Sequence, residues 1–226
     1  MDTLAHSLAT RGFAVVSNVI DEEACEAAAT GLGELGVEGA GSRRLLTLSW
    51  CAQLAQHLKS HNLVGAVLPP DAVAVQCTAF TKSPTANWLV SIHQDRSIPV
   101  SARVPSDHLT GWSEKEGSLF VQPPAEVLER ITAVRLHIDP CTLESGPLRL
   151  VPASHNQGVL SAAQVEQLRE RNGEQAVPAP RGGALIMKPL VLHASSKATA
   201  PMNRRILHFV FGPPKLPYGL KWQYAI

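Results

Sequence analysis

The pattern of apolar and polar positions divides the chain near Pro69-Pro70. Before that break, residues 4–10 read as a short helix that stops near Gly12, and the apolar run at residues 13–16 reads as a strand. Asp21 is placed to cap a second helix, with Glu22 and Glu23 in its first turn, where the helix dipole favours acid. That helix runs through Cys25 and Ala29 toward a loop at residues 31–41. Residues 46–58 predict a third helix, and a short fourth leads to Leu68.

Past the prolines the character changes. Residues 72–80 alternate and are rich in small and β-branched side chains. Further short strands are expected at residues 88–92, 131–138, 148–151, 184–187, 190–192 and 206–211. Turn signals such as Ser145-Gly146-Pro147 and Arg181-Gly182-Gly183 separate them. One helix, about residues 162–171, interrupts the series. Residues 97–130 are strand-poor in this reading, carry Trp112, and read as an insertion over one end of the core. Many short strands with turn punctuation argue a sandwich or jelly roll. The expected organisation is one domain over residues 1–226, mainly β (α+β). It has a helical region at 1–70, a core at 71–212 and a tail at 213–226.

Composition narrows the classes. With 45% hydrophobic and 17% charged residues, the chain can bury a real core. Twenty Lys and Arg against 19 Asp and Glu leave a net charge of +1, so no global field draws nucleic acid or an anionic membrane, and neither is an expected partner. No apolar run approaches a membrane span. The N-terminus has no basic region, long apolar stretch or cleavage site, so no secretory signal is expected. Cys25, Cys51, Cys77 and Cys141 form no C-x-x-C pair, so a cysteine zinc site is not expected, and reduced thiols in a cytoplasmic protein are.

The chemistry starts at His93-Gln94-Asp95. On a strand, residues i and i+2 share a face, so an imidazole and a carboxylate at this spacing can grip one metal ion. A lone His-x-Asp is more often a hydrogen-bonded surface pair. His193 changes the balance, because it ends an apolar segment and can close on Asp95 across a rolled sheet. Two histidines and one carboxylate leave three positions open on one face of an octahedral iron. Arg204-Arg205 follows, and strand alternation turns only one of the two inward. A guanidinium fork there matches the distal carboxylate of 2-oxoglutarate, and the Ser195 hydroxyl can make a second bond to it. A zinc hydrolase gains nothing from that arginine.

His93-x-Asp95, the block Glu144-Ser145-Gly146-Pro147-Leu148-Arg149-Leu150-Val151-Pro152-Ala153-Ser154-His155, the run 182–187, His193-x-Ser195 and Arg204 together resemble the phytanoyl-CoA dioxygenase family. The match in order and spacing covers roughly residues 70–212, and the helix–strand–helix opening is similar too. The resemblance implies a double-stranded β-helix, a cupin-like jelly roll with N-terminal helices packed on its major sheet. It implies His93, Asp95 and His193 as ligands of Fe(II), with Arg204 and Ser195 on the co-substrate 2-oxoglutarate. Arg205 stands in if the register slips by one. The expected activity is a dioxygenase that hydroxylates a small-molecule metabolite with O2, releasing succinate and CO2. Family members that halogenate lack the carboxylate that Asp95 retains. Two departures stand out: Pro-Ala-Ser-His replaces the usual Pro-Gly-Ser-His, and Arg135 replaces a frequent aromatic residue.

If Val134, Leu136 and Ile138 face the outer core, Arg135, His137 and Asp139 share the other face. Charge inside a roll is costly unless it lines a polar pocket. Arg135 is therefore a candidate for an anionic group of substrate or co-substrate. Gln76, Thr78 and Phe80 alternate likewise and are expected on the same cavity, with Trp88 and Trp112 either walling it or packing in the core.

Other motifs are set aside. Gly31-Leu32-Gly33-Glu34-Leu35-Gly36 matches G-x-G-x-x-G but follows a helix. His57 and His61 lack the glutamate of a zincin and read as an exposed face. His155 reads as a structural hydrogen-bonder, and His137 and His208 as satisfied strand residues. Two rivals remain: a non-catalytic metal- or ligand-binding jelly roll, and a cupin-like hydrolase or isomerase that uses no oxygen. Hydroxylation, desaturation and cyclisation require the same residues, and neither the substrate nor the oligomeric state is readable.

Overall fold

The computed structural model describes residues 3–36, 41–201 and 203–226. The chain opens with α1 (Leu4–Arg11), β1 (Phe13–Val16) and α2 (Glu22–Glu34). A 3-10 turn (Leu45–Thr47), α3 (Ser49–Ser60) and α4 (Asn62–Gly65) lead to β2 (Val73–Lys82) and β3 (Val90–His93). Next come β4 (Ile98–Val100), β5 (Thr110–Lys115), β6 (Ser118–Gln122) and α5 (Ala125–Leu128). The rest is β7 (Thr132–His137), β8 (Leu148–Leu150), α6 (Ala162–Asn172), β9 (Gln175–Val177), β10 (Ala184–Met187), β11 (His193–Ser195) and β12 (Arg204–Gly212).

Local chemistry sets the helix ends. Thr3 and Asp21 accept backbone N–H bonds at the starts of α1 and α2, and Ser161 with Gln164 forms a reciprocal capping box on α6. Two expectations shift here. α2 continues through Gly31 and Gly33 to Glu34, and Gly31 lies against the Trp50 ring, where a Cβ would clash. Of the loop expected at 31–41, residues 37–40 lie outside the described residues.

The strands form a jelly roll. A five-stranded antiparallel sheet runs β1-β10-β7-β12-β2, and a four-stranded one runs β3-β11-β8-β9. Alternation divides each major strand between two layers. Val134, Leu136, Ile138, Ile186, Leu207, Phe209 and Phe211 meet Leu8, Leu32, Ala55 and Leu58 of the N-terminal helices. The opposite face meets the minor sheet, where Phe13, Ala133, Leu185 and Met187 pack on Leu148, Leu150, Val177 and Val191. The β2 edge is covered rather than open. Ala74 exchanges backbone hydrogen bonds with Ile226, and Ala79 N–H bonds to Ser42.

Two strand expectations are corrected. The segment 97–130, read as strand-poor, folds as a third sheet in the order β4-β6-β5. Its strands are short, and Pro99 and Gly111 fall inside β4 and β5, so the pattern was weak. It packs through Ile98, Val100 and Val121 on Leu220 and Trp222 of the C-terminal segment. Residues 190–192 form a turn before β11, tied by Val191 N–H to the Lys188 carbonyl, so the strand starts at His193 instead. Among the described residues, no helix is long and apolar enough to cross a membrane.

Candidate active site

His93 ends β3 and His193 opens β11, and the two are cross-strand partners. Asp95 lies just past β3, where its N–H bonds to the Pro189 carbonyl at 2.9 Å. One donor atom from each of the three lies within 4.8 Å of the others. His93 Nε2 is 3.6 Å from Asp95 Oδ1, and His193 Nε2 is 3.7 Å from Asp95 Oδ2. Each ring's other nitrogen is occupied. His93 Nδ1 donates to the Ser91 carbonyl at 2.8 Å and His193 Nδ1 to the Val191 carbonyl at 2.9 Å. A carbonyl only accepts, so the proton of each neutral ring sits on Nδ1, and in that form Nε2 keeps a lone pair toward the shared centre, as a metal ligand requires.

Gln94, between the donors, is a functional residue that the sequence did not disclose. Its buried side-chain amide donates to the Gly158 and Leu190 carbonyls and accepts from Leu160 N–H. It thereby ties the His93–Asp95 segment to the turn that delivers His193. Ser154 ties the same turn from the other side, donating to the Val151 carbonyl and accepting from Leu192 N–H at 2.8 Å. That is the physical content of the Pro-x-Ser-His block.

Electrostatics follow from crowding. Burial works against ionisation of Asp95, but His193, His93 and His208 outweigh it and hold the carboxyl well below the usual carboxylate range. The facing Asp95 raises the basicity of His93, and burial lowers that of His193. His208, expected to be an ordinary strand residue, lies within the site, its Nε2 4.0 Å from Asp95 Oδ2. Its Nδ1 is 3.2 Å from Arg135 Nη1. Arginine only donates, so Nδ1 accepts and the proton of the neutral ring sits on Nε2. That tautomer has no lone pair to give a metal at Nε2, so His208 is a neighbour of the centre rather than a fourth donor. Burial, then Arg135, pushes its pKa down to about 3.

The donors open on a cavity of about 570 Å³, within the range of small-molecule sites. Gln76, Thr78 and Phe80 line it, as expected from their alternation, Trp88 walls it rather than packing in the core, and Gln76 donates to Thr78 at 2.8 Å. The Arg204 and Arg205 alternatives separate cleanly. Arg204 is buried in the cavity wall, donates to the Gly146 carbonyl and leaves its Nε without a partner in the protein. Arg205 faces away and makes a fork on Asp139 at 2.7 and 2.8 Å. Ser195 Oγ also donates to Gly146, at 3.1 Å, so serine and arginine converge on one carbonyl. Gly146 adopts φ +65°, and a Cβ there would strike the Ser196 carbonyl, which explains the glycine.

Arg135 lines the cavity too, buried, with its guanidinium 5.1 Å from the Phe80 ring centre and its Nε unpartnered. The expectation for its strand face needs correcting beyond Arg135. Asp139 lies past the end of β7 and pairs with Arg205 and Arg181 outside the cavity. His137 points inside but does not line the cavity, and neither of its ring nitrogens has a partner. Trp112 packs in the third sheet beside Arg103 rather than walling the site. The sequence reading also passed over Lys82. It extends the Gln76–Thr78–Phe80 phase by one step, is 1% exposed, and donates to Ser195 Oγ at 3.0 Å and to the Ser196 carbonyl. Burial, then Arg204, brings its ammonium down to about 8.

The sequence model of the phytanoyl-CoA dioxygenase (PhyH) family matches residues 8–206. The chain belongs to this family. No curated protein sequence matches it. Among solved structures, it is similar to SnoN, a non-heme alpha-ketoglutarate-dependent epimerase of nogalamycin biosynthesis, at TM-score 0.68 and 14% identity over 96% of this chain and 85% of that one. It is likewise similar to AviO1 from Streptomyces viridochromogenes Tue57, at TM-score 0.67 and 18% identity over 95% of both chains. HygX from Streptomyces hygroscopicus, solved with nickel and 2-oxoglutarate bound, superimposes at TM-score 0.63 and 16% identity, over 91% of this chain and 84% of its own. At these identities the likeness speaks for the fold, and it places the chain among family jelly rolls.

Proposed function

We propose that the protein is an Fe(II)- and 2-oxoglutarate-dependent oxygenase that hydroxylates a small molecule. One observation carries the reading: two imidazoles with bare Nε2 lone pairs and one carboxylate converge at a cavity whose wall holds a buried guanidinium with an unpartnered N–H. The donor set fits a metal with open positions, and the guanidinium fits a carboxylate that the protein itself does not supply.

In this reading His93, Asp95 and His193 hold the iron. Arg204 and Ser195, gathered on the Gly146 carbonyl, take the distal carboxylate of 2-oxoglutarate, with Lys82 behind Ser195. Iron(II) and 2-oxoglutarate supply the activation of O2: the co-substrate is decarboxylated to succinate and CO2, and one oxygen atom enters a substrate C–H bond. The protein positions and excludes water. The two backbone-bonded Nδ1 atoms fix the imidazole tautomers, and Phe80, Trp88 and Leu148 line the space where the substrate sits. Gln76 and Arg135 complete the polar wall. Similar folds belong to SnoN, an epimerase, and SnoK, a carbocyclase, so outcomes other than hydroxylation are open to this scaffold.

The test is anaerobic titration of Fe(II) into the protein with 2-oxoglutarate, read as the visible metal-to-ligand charge-transfer band. The expected band is lost in His93→Ala and weakened in Arg204→Ala. A folded protein with excess iron and no band sinks the assignment.

A further inference from the structure

Charge in the cavity is distributed unlike charge in the chain. Overall the sequence is nearly balanced, at +1. The cavity wall carries Arg43, Arg96, Lys115, Arg135 and Arg204, and a single carboxylate, Asp95. Arg43 is matched by Glu116 at 2.6 Å, and Arg96 leans on the neutral Gln122 at 2.8 Å. Lys115 lies over the Phe120 ring. Arg135 and Arg204 are buried, neither contacts a carboxylate in the interactions described above, and both have an unpartnered Nε.

On the reading proposed above, on which this inference rests, iron(II) and 2-oxoglutarate cancel each other's charge. Asp95 then offsets only one of the two buried guanidiniums, and Lys82, Arg96 and Lys115 add to the surplus. A buried cation without a partner is costly, and a low-dielectric cavity of one sign concentrates ligands of the other. Arg204 has Ser195 and the Gly146 carbonyl beside it. Arg135 has instead the neutral His208 and the Phe80 face, an apolar and polar setting with room for a ligand's acid group. We infer that the substrate is a small anion, a carboxylate, sulfate or phosphate ester, whose acid group is held by Arg135, with Arg96 and Lys115 drawing it to the mouth.

The test is calorimetric titration of benzenesulfonate, an anion that ligates iron poorly, and of its neutral counterpart methyl phenyl sulfone. Both are titrated into metal-free protein, and into protein held anaerobically with Fe(II) and saturating 2-oxoglutarate. The sulfonate is expected to bind at least about tenfold more tightly than the sulfone, the scale of one charge-assisted hydrogen bond. Arg135→Gln removes that preference while the affinity for 2-oxoglutarate, read from the charge-transfer band, stays at the wild-type value. Arg135→Lys keeps the charge, retains part of the preference and guards against misfolding as the cause. Equal binding of the two probes, no sulfonate binding, or a preference that survives Arg135→Gln overturns the inference. So does a collapse of 2-oxoglutarate affinity in Arg135→Gln, which would give this arginine to the co-substrate. If wild-type protein shows no charge-transfer band, the oxygenase reading fails, and the metal-free titration still decides whether Arg135 makes an anion site.

Discussion

The two sheets face one cavity but are held together differently. In the major sheet, β2 has 10 residues and β12 has 9, and their outer layer is a dry seam under the N-terminal helices. In the minor sheet, β3 has 4 residues and β8, β9 and β11 have 3 each, and here the candidate metal donors sit, His93 and His193 in the strands and Asp95 just past β3. Strands this short cannot fix side chains by ladder bonds alone. Gln94 and Ser154 supply the missing constraint through side-chain bonds to backbone groups. Stability therefore resides mainly in one sheet and the donors in the other, and substitutions should separate the two.

The largest effects make that separation directly. Phe209, fully buried in the outer layer, packs with Phe211 against the helices. Phe209→Ala is expected to cost about 4 kcal/mol in denaturant unfolding, the transfer and cavity terms combined, while folded molecules still bind iron. Asp95→Ala should do the reverse: turnover falls to background and the charge-transfer band vanishes, yet the metal-free protein stays folded and loses less stability than Phe209→Ala does, because the carboxylate's contacts with His93 and His193 are partly exposed to solvent. An Asp95→Ala protein that unfolds would break the comparison.

Gln94 joins the two properties. Gln94→Leu leaves Leu160 N–H without its acceptor and two carbonyls without their donor. A loss of about 2–3 kcal/mol is expected. Iron affinity should drop about 10- to 100-fold, since Gln94 orients the donors without touching the metal. A stability loss with unchanged iron affinity would show that the clamp does not position the donors.

Acid sharpens the contrast further, because the inner face of the major sheet buries neutral His137. Burial, then Arg135 and Arg204, lowers its pKa from 6.5 to about 3. Below 6.5 the unfolded chain takes up a proton that the folded chain refuses, so stability is lost as pH falls, until the folded pKa is reached. The slope approaches about 1.4 kcal/mol per pH unit for this one group. His137→Leu should flatten the fall of metal-free stability between pH 6 and pH 4, and cost little at pH 7.5, because neither ring nitrogen has a partner to lose. A slope identical to that of the parent protein would refute the assignment to His137.

How much of this was legible in the sequence differs between the same two regions. The major sheet announced itself, since a two-residue period over long strands sorts Val134, Leu136 and Ile138 from Arg135. The same period, carried one step past Phe80, would have found Lys82. The minor sheet was legible in part: strands were expected at 88–92 and 148–151, close to β3 and β8, and His93, Asp95 and His193 were visible as residue types, but the strand carrying His193 was set too early and β9 was not anticipated. Gln94 carried no signal, because a glutamine between two ligands looks the same whether it is solvated or clamped. His208 and Asp139 were misjudged because cross-strand partners, Arg135 for one and Arg205 for the other, are set by register, which alternation alone does not give.

The smallest expected effect lies at the one departure in the Pro-x-Ser-His block that the backbone explains. Ala153 has φ +59°, the left-handed region, where a Cβ crowds its own backbone. Its N–H bonds to the Arg11 carbonyl at 3.0 Å, so the turn cannot relax without breaking that bond. Ala153→Gly removes strain of about 1–2 kcal/mol. It also gives the unfolded chain more freedom, which offsets about 0.5–1 kcal/mol of the gain. The net expectation is about 0.5 kcal/mol of added stability, a melting temperature higher by about 1–2 °C for a chain of this size. Iron affinity should not change, because Ser154 already pins the Val151 carbonyl and Leu192 N–H in the present turn. A lower melting temperature would mean that the loss of chain entropy outweighs the strain. A gain in iron affinity would mean instead that the alanine misplaces the strand carrying His193.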